Sequence, residues 1–370
     1  MLIPRRHFLS LPALAGATLA QRPAKEVRGV WLHPESMFDA DPVKGRSQVR
    51  ASMERLARTG FNLILPWIVS DYLVACESAL YRQAHPTAAW DVLGTLIDEA
   101  ARAGMALDIW YSFTAYRNAQ CSDFDPRVGG DPSWAARRID EFVPDPSTGQ
   151  ITPRRWNDSC PQHFEARRWQ QQLLLRAIQR HPPRGLHIEE PGYDYLGNCV
   201  CDLCLETFRK LYGAPLAERI KTQEAEDFRC LGTSAFMSEM RESLARQFPP
   251  MVFSANGGPN WRHDRRQGRD WGRWARSGWL AYYAAQVYVT RTEVFRDRMA
   301  ASIRDLSPEC PVYAGIAFKW SGGGNTVAEV LRQIEAAREI KAPGVVLFSA
   351  GAFTDELYEA LRTGPFRGAA

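Results

Sequence analysis

The sequence predicts an α/β fold, a (β/α)8 TIM barrel in a single domain with a long loop after strand 3. Three observations lead there. Short apolar runs rich in β-formers alternate with longer amphipathic segments from residue 27 onward, the alternation repeats eight times, and no glycine-rich phosphate loop follows the first run. Strict alternation demands parallel strands joined by crossover helices, and a count of eight favours a closed barrel over an open sheet. The missing glycine-rich turn weighs against a dinucleotide-binding fold.

The elements follow in order. The first apolar run covers 27–33 and precedes a helical pattern over 47–59. The second, 61–67, is followed by a helix over 90–103, with Gly104 as its stop signal. Strand three, 105–111, opens into a segment rich in Pro, Gly and Asp, so residues 112–160 form one long loop at the C-terminal rim before a helix over 161–180. Loops of that length inside a compact domain are usually functional or locally structured. Strand four is 185–190, with helical sequence at 202–212 and 224–247. Strand five, 251–255, precedes a short helix at 271–277. The sixth strand lies within 279–289, before a helix over 293–305. Strand seven, 311–317, pairs with a helix over 326–340, and 344–349 with 354–363 completes the set.

Residues 1–20 read as an export signal and 21–370 as the barrel. Arg5-Arg6-His7-Phe8-Leu9-Ser10 precedes an apolar run, 11–20, too short to span a bilayer and ending in small residues. Paired arginines before a Phe-Leu step resemble a twin-arginine signal, with cleavage after Ala20. The competing reading is a basic start followed by an anchoring helix. The first reading predicts a periplasmic or extracellular protein with no stable membrane insertion after signal removal.

The formal charge of the 370 residues is only +4, from 46 basic and 42 acidic side chains, which gives no sign of a nucleic-acid partner. Twelve Trp and twelve Tyr exceed the usual needs of core packing, and flat rings commonly line sugar sites.

In a barrel the chemistry sits at the C-terminal strand ends. The sharpest signal is strand four, His187-Ile188-Glu189-Glu190-Pro191. Side chains alternate along a strand, so Leu186 and Ile188 face the helices while His187 and Glu189 face the lumen. Glu190 starts the loop at the rim. Two adjacent carboxylates repel, which raises at least one pKa and keeps a protonated acid available. Glycoside hydrolysis needs one carboxylic acid on the leaving oxygen and one carboxylate as nucleophile or base. Glu189 and Glu190 are therefore the candidate catalytic residues; the bland alternative is a structural pair that binds Arg or caps a helix. Asp71, Asp108, Asp158 and Glu293 are further acids that could complete the set.

Candidate substrate-binding residues at the strand ends are Trp31, His33, Trp67, Trp110, Tyr116, Arg117, His187, Tyr193, Asn256, Tyr288, Lys319 and Trp320. The tryptophans would stack on sugar faces, Asn256, Tyr288 and Lys319 would bind hydroxyls or an acidic substituent, and His187 would either tune Glu189 or simply fill the barrel interior. No cofactor is required for this chemistry. The predicted activity is hydrolysis of O-glycosidic bonds in a polysaccharide or oligosaccharide. The rivals are a non-catalytic carbohydrate-binding barrel and another polysaccharide hydrolase or lyase, such as a deacetylase.

Eight cysteines include the run Cys199-x-Cys201-x-x-Cys204 just after strand four. Three thiolates at that spacing suit a structural zinc with a fourth ligand such as Cys160, Cys230 or a His, or else disulfides to those residues.

The strand blocks also resemble a known family. They are Arg28-Gly29-Val30-Trp31-Leu32, Phe61-Asn62-Leu63-Ile64, Leu107-Asp108-Ile109-Trp110 and Gly185-Leu186-His187-Ile188-Glu189-Glu190. Asp270-Trp271 to Gly278-Trp279, Gln286-Val287-Tyr288, Val312-Tyr313-Ala314-Gly315-Ile316-Ala317 and Gly344-Val345-Val346-Leu347-Phe348-Ser349 follow. In this order they resemble the glycosyl-hydrolase-like family 10 barrels of exported bacterial proteins. The resemblance implies a TIM barrel with glycosidase activity, in part of the group on the glycan of peptidoglycan. The family's strand-four acids fall on Glu189 and Glu190. There the family usually carries aspartates; this chain carries glutamates, then Pro191-Gly192-Tyr193-Asp194-Tyr195. The glutamates reach about one methylene further, so either the pocket and with it the substrate differ or catalysis is reassigned.

Overall fold

The structure, a computed structural model, describes residues 26–68, 90–112, 132–137, 159–193, 199–306 and 308–368. The expected export signal, Asp71, Tyr116, Arg117, Asp158, Asp194 and Tyr195 lie outside the described residues.

Eight parallel strands close into the barrel that the alternation predicts. They are β1 (Val27–Leu32), β2 (Leu63–Pro66), β3 (Ala106–Tyr111), β4 (Gly185–Ile188), β5 (Val252–Gly257), β6 (Tyr283–Gln286), β7 (Val312–Ala317) and β10 (Gly344–Phe348). β10 pairs with both β7 and β1, which seals the cylinder. A small antiparallel hairpin, β8 (Lys319–Trp320) with β9 (Gly323–Gly324), stands beyond β7. Lys319 and Trp320 thus sit on a rim hairpin, not at the end of a barrel strand.

Helices cover the outside of the barrel, and the side-chain period decides what each face meets. On β1 and β4, Val30, Leu32, Leu186 and Ile188 join the large core between strands and helices. Trp31, Leu65, Trp110, Tyr282, Tyr313 and Val346 fill the lumen. The expected alternation on β4 therefore holds, with His187 stacked on lumen Tyr282 at 5.4 Å.

Where element ends differ from the sequence reading, local chemistry explains it. The first long helix starts at Pro42, not 47, because Asp41 accepts hydrogen bonds from the Val43 and Lys44 N–H groups and Pro42 presets the first turn. It stops at Gly60, whose φ of +104° glycine tolerates best. β4 ends at Ile188, so both glutamates lie beyond it. The Glu189 N–H nevertheless donates to the Tyr111 carbonyl at 2.8 Å, which carries the pairing with β3 one residue further. The long loop after β3 is not featureless: Pro132–Trp134 forms a 3-10 turn, and Ala135 bridges Ser159.

Candidate active site

The barrel interior is layered from its floor to its open rim. Near the floor, Asp108 is fully buried and bound by Arg184, with Nε at 2.8 Å from Oδ1 and Nη2 also in contact. The Tyr282 hydroxyl donates to its other oxygen at 2.8 Å. Asp108 is in register with Gly185, where a Cβ would come within 2.7 Å of the Asp108 carboxylate. Charge, hydrogen bonds and space are all committed here, so Asp108 is a structural anion and not a second catalytic acid. Glu293 is also removed as a candidate: it is 72% exposed and lies 3.9 Å from Arg291.

The middle layer holds His187 and Trp31, both fully buried. His187 Nδ1 lies 2.8 Å from the Ser254 hydroxyl, and its ring sits 6.3 Å from Trp31. Burial first, then the charge of Arg184, lowers its pKa to about 3, so the imidazole is neutral. His187 lies two residues before Glu189, roughly 6–7 Å deeper along the strand direction. It fills the barrel interior, and its hydrogen bond goes to Ser254, not to Glu189.

The upper layer is built around Glu189. Trp110 donates its indole N–H to Oε2, and Asn256 Nδ2 donates to the same oxygen at 2.5 Å. Gln286 Nε2 approaches Oε1 at 3.4 Å. The carboxyl is part-buried and points into the lumen mouth. Burial, and after it the negative charge of Glu190, raise its pKa to about 7, against the pull of the three donors. The protonated acid that the paired carboxylates led us to expect is therefore Glu189.

Glu190 takes a different course. Its φ of +33° turns the chain sharply off the strand line. The Glu190 N–H donates to Asn256 Oδ1 at 3.0 Å, and its carboxylate meets Arg269 Nη2 at 2.8 Å. The Arg269 side chain is only 7% exposed and packs against Gly192, where a Cβ would come within 2.5 Å of Arg269 Cγ. Arg269 and Gln286 both touch the acidic pair and were absent from the candidate binding residues. Gln286 stands at the end of β6, where its position in the sequence already puts it at the rim; Arg269 lies in a turn whose place no local pattern reveals.

Aromatic rings form a wall beside the acids. Trp67 meets Trp110 edge-on at 4.5 Å, His33 packs 5.1 Å from Trp110 and 5.8 Å from Phe348, and Trp31 lies 6.1 Å from Trp110. Tyr288 stacks on Phe348 at 5.4 Å, and Trp320 stands 6.3 Å from Tyr288. The wall thus joins six of the ring-bearing candidates through Phe348, a residue the sequence reading passed over. The Tyr288 hydroxyl is buried beside the side chain of Gln286. Its pKa is well above the ordinary value through burial and the nearness of Glu189 and Glu190. Lys319 is exposed on its hairpin, 5.9 Å above the Phe318 ring. Tyr193 does not join the wall; it is buried among cysteines beside it.

A family model described as glycosyl hydrolase-like 10 matches residues 26–319, from β1 to the start of the rim hairpin. The chain belongs to the glycosyl hydrolase-like 10 family. In this family member the barrel is completed by β10, beyond the matched segment. The fold is similar to the glycoside hydrolase domain of PgaB (BpsB) from Bordetella bronchiseptica, at a TM-score of 0.68 and 14% identity, covering 91% of this chain and 98% of that one. It is also similar to α-L-fucosidase isoenzyme 2 from Paenibacillus thiaminolyticus, at a TM-score of 0.59 and 17% identity, with 91% of this chain and 48% of that chain covered. A catalytic mutant of Gan42B, a GH42 β-galactosidase from G. stearothermophilus, gives a TM-score of 0.59 at 16% identity, covering 91% and 56%. The chain thus spans about half the length of the latter two. No curated protein matches the sequence of this glycosyl hydrolase-like 10 chain. No helix among its described residues is long and apolar enough to cross a membrane.

Cysteines gather beside the acids. Cys160, Cys199, Cys201 and Cys204 are all buried, with sulfur atoms within 4.8 Å of one another. Cys160 thus joins the run as its fourth member, whereas Cys230 lies apart, its sulfur 3.7 Å from the Arg265 carbonyl. The donor set fits a soft, tetrahedral ion.

Proposed function

We propose that this chain hydrolyses O-glycosidic bonds of a polysaccharide or cell-wall glycan outside the cytoplasm, with Glu189 as the proton donor. The observation that carries the reading is the environment of Glu189. It is an acid with a pKa of about 7, recessed in the mouth of a barrel and flanked by a wall of aromatic rings. Oε2 already accepts from Trp110 and Asn256, so the proton resides on Oε1, the less engaged oxygen. Transfer from Oε1 to the glycosidic oxygen lets the C–O bond break with the electron pair leaving on that oxygen. Water then adds to the sugar carbon and returns a proton to Glu189. Glu190, oriented by Arg269, supplies the carboxylate that stabilises the positive charge developing on the sugar ring. The two glutamates thus differ in role because their surroundings differ. Trp67, Tyr288 and Trp320 hold the glycan with their rings, while buried Trp110 positions Glu189 through its indole N–H.

The family membership and the likeness to glycoside hydrolase barrels support a carbohydrate substrate. The Glu190–Arg269 ion pair also suits a second reading, a barrel that binds saccharide without cleaving it. Incubating the purified protein with a panel of polysaccharides and peptidoglycan separates the two. New reducing ends that vanish in Glu189→Gln support the hydrolase. Saturable binding with no reducing ends favours the binding protein, and release of acetate points instead to a deacetylase.

A further inference from the structure

We propose that Cys160, Cys199, Cys201 and Cys204 hold one zinc ion as a closed tetrathiolate site that clips the loops after β3 and β4 together at the rim. The inference is independent of the glycosidase reading.

Four sulfurs converge on a single point here, arriving from two loops 39 or more residues apart in sequence (Cys160 and Cys199). A tetrahedral zinc with bonds of about 2.3 Å places its four sulfurs about 3.8 Å apart. The cluster, with every sulfur within 4.8 Å of the others and Cys160 and Cys204 at 3.4 Å, has that size. Disulfides would draw the thiols into two separate pairs about 2.05 Å long, and one of the three possible pairings would join Cys199 to Cys201 across a single residue. Mutual closeness of all four is the signature of a shared centre.

The surroundings suit thiolates. The Arg137 N–H donates to Cys199 Sγ at 3.3 Å, and His163 Nε2 lies 3.7 Å from Cys201 Sγ. Cys201 is the N-cap of the helix Asp202–Tyr212 and Cys204 lies in its first turn, so the positive end of an eleven-residue helix faces the sulfurs. Tyr193, Val200, Phe208, Leu216 and Phe228 surround them and keep water out. A site with four protein donors and an apolar shell leaves no open position, so the ion is structural and does not activate water.

Its mechanical effect follows from the backbone. The Cys160 N–H donates to the Trp134 carbonyl at 2.7 Å, and Val200 N–H to the Arg137 carbonyl at 2.8 Å. The ion would lock these strands of loop to each other. Tyr193, packed in the same cluster, is three residues after Glu190, and its N–H donates to the Gln267 carbonyl two residues before Arg269. The clip therefore braces the turn that carries Glu190 and its arginine.

The test uses the full chain, purified without added metal or chelator. Elemental mass spectrometry is expected to find one zinc per chain, and a mercurial titration to release it as four thiols react. Cys199→Ser and Cys204→Ser should each lose the metal. Should these variants not fold, cobalt exchanged into the wild-type protein still decides, because four thiolates give sulfur-to-cobalt charge-transfer bands and the strong visible absorption of a tetrahedral site. Folded, reduced protein that carries no metal and takes up neither zinc nor cobalt would overturn the proposal. So would an intact mass showing these cysteines joined as disulfides, and stoichiometric iron would overturn the choice of zinc.

Discussion

Asn256 uses both ends of its amide on the acidic pair: Oδ1 accepts the Glu190 N–H at 3.0 Å while Nδ2 donates to Glu189 Oε2 at 2.5 Å. The first bond fixes which way the amide faces, since only an oxygen can accept a backbone N–H, and the second then has to be a donor. One side chain from β5 thus sets the backbone of one glutamate and the carboxyl of the other. In the proposed mechanism it also leaves Oε1, the less engaged oxygen of Glu189, to carry the proton.

Replacing Glu189 by Gln is expected to cut turnover on glycan by roughly 10²–10⁴-fold, the usual worth of a positioned general acid. Far-ultraviolet circular dichroism should be unchanged. Full activity in this variant would remove Glu189 from catalysis.

The pH profile carries the electrostatics. A general acid works while protonated, so kcat/KM should fall as pH rises through about 7, the pKa of Glu189. The charge of Glu190 is the second cause of that elevation, after burial, so Glu190→Gln should shift the alkaline limb to lower pH in whatever activity survives. An unmoved limb would mean that the titrating group is not Glu189.

Stability should respond to the same proton. Glu189 is raised in the folded chain from an ordinary 4.5 to about 7, so between these values the native state binds more protons than the unfolded one. Its contribution is present below 4.5 and is lost as pH rises through 7. Glu189→Gln, which cannot ionise, should therefore gain Tm relative to wild type above neutrality and match it in acid. Thermal melts from about pH 4 to about pH 9 give the comparison.

The aromatic wall divides into binding surface and core. Trp67 and Trp320 are part-exposed, and Trp67→Ala or Trp320→Ala should weaken saccharide binding by roughly tenfold, about 1.4 kcal/mol, with little change in Tm. Trp31 is fully buried, and Trp31→Ala should cost about 3–5 kcal/mol of stability. Denaturant titration beside calorimetric binding separates the two classes.

Asp108 gives a control. Asp108→Asn removes the anion that Arg184 binds at the barrel floor. Because the Arg184 side chain is 37% exposed and can be hydrated, the loss is on the order of 1–3 kcal/mol of stability. Because Asp108 lies below the chemistry, the alkaline midpoint of any retained activity should stay in place. A shifted midpoint would restore it as a candidate acid.

By itself the sequence determined the barrel, the order of its strands and the lumen-facing position of Glu189, since all three follow from local periodicity that a single segment displays. The partners of that acid were another matter. Asn256, Trp110 and Gln286 reach it from 67, 79 and 97 residues away, and only closure of the cylinder brings their strand tips to one place. Arg269 on Glu190, Phe348 in the aromatic wall and Cys160 among the other thiols have the same origin. Residue type and spacing can nominate a chemical group, but its charge state and its neighbours are properties of packing, and packing was decided in three dimensions.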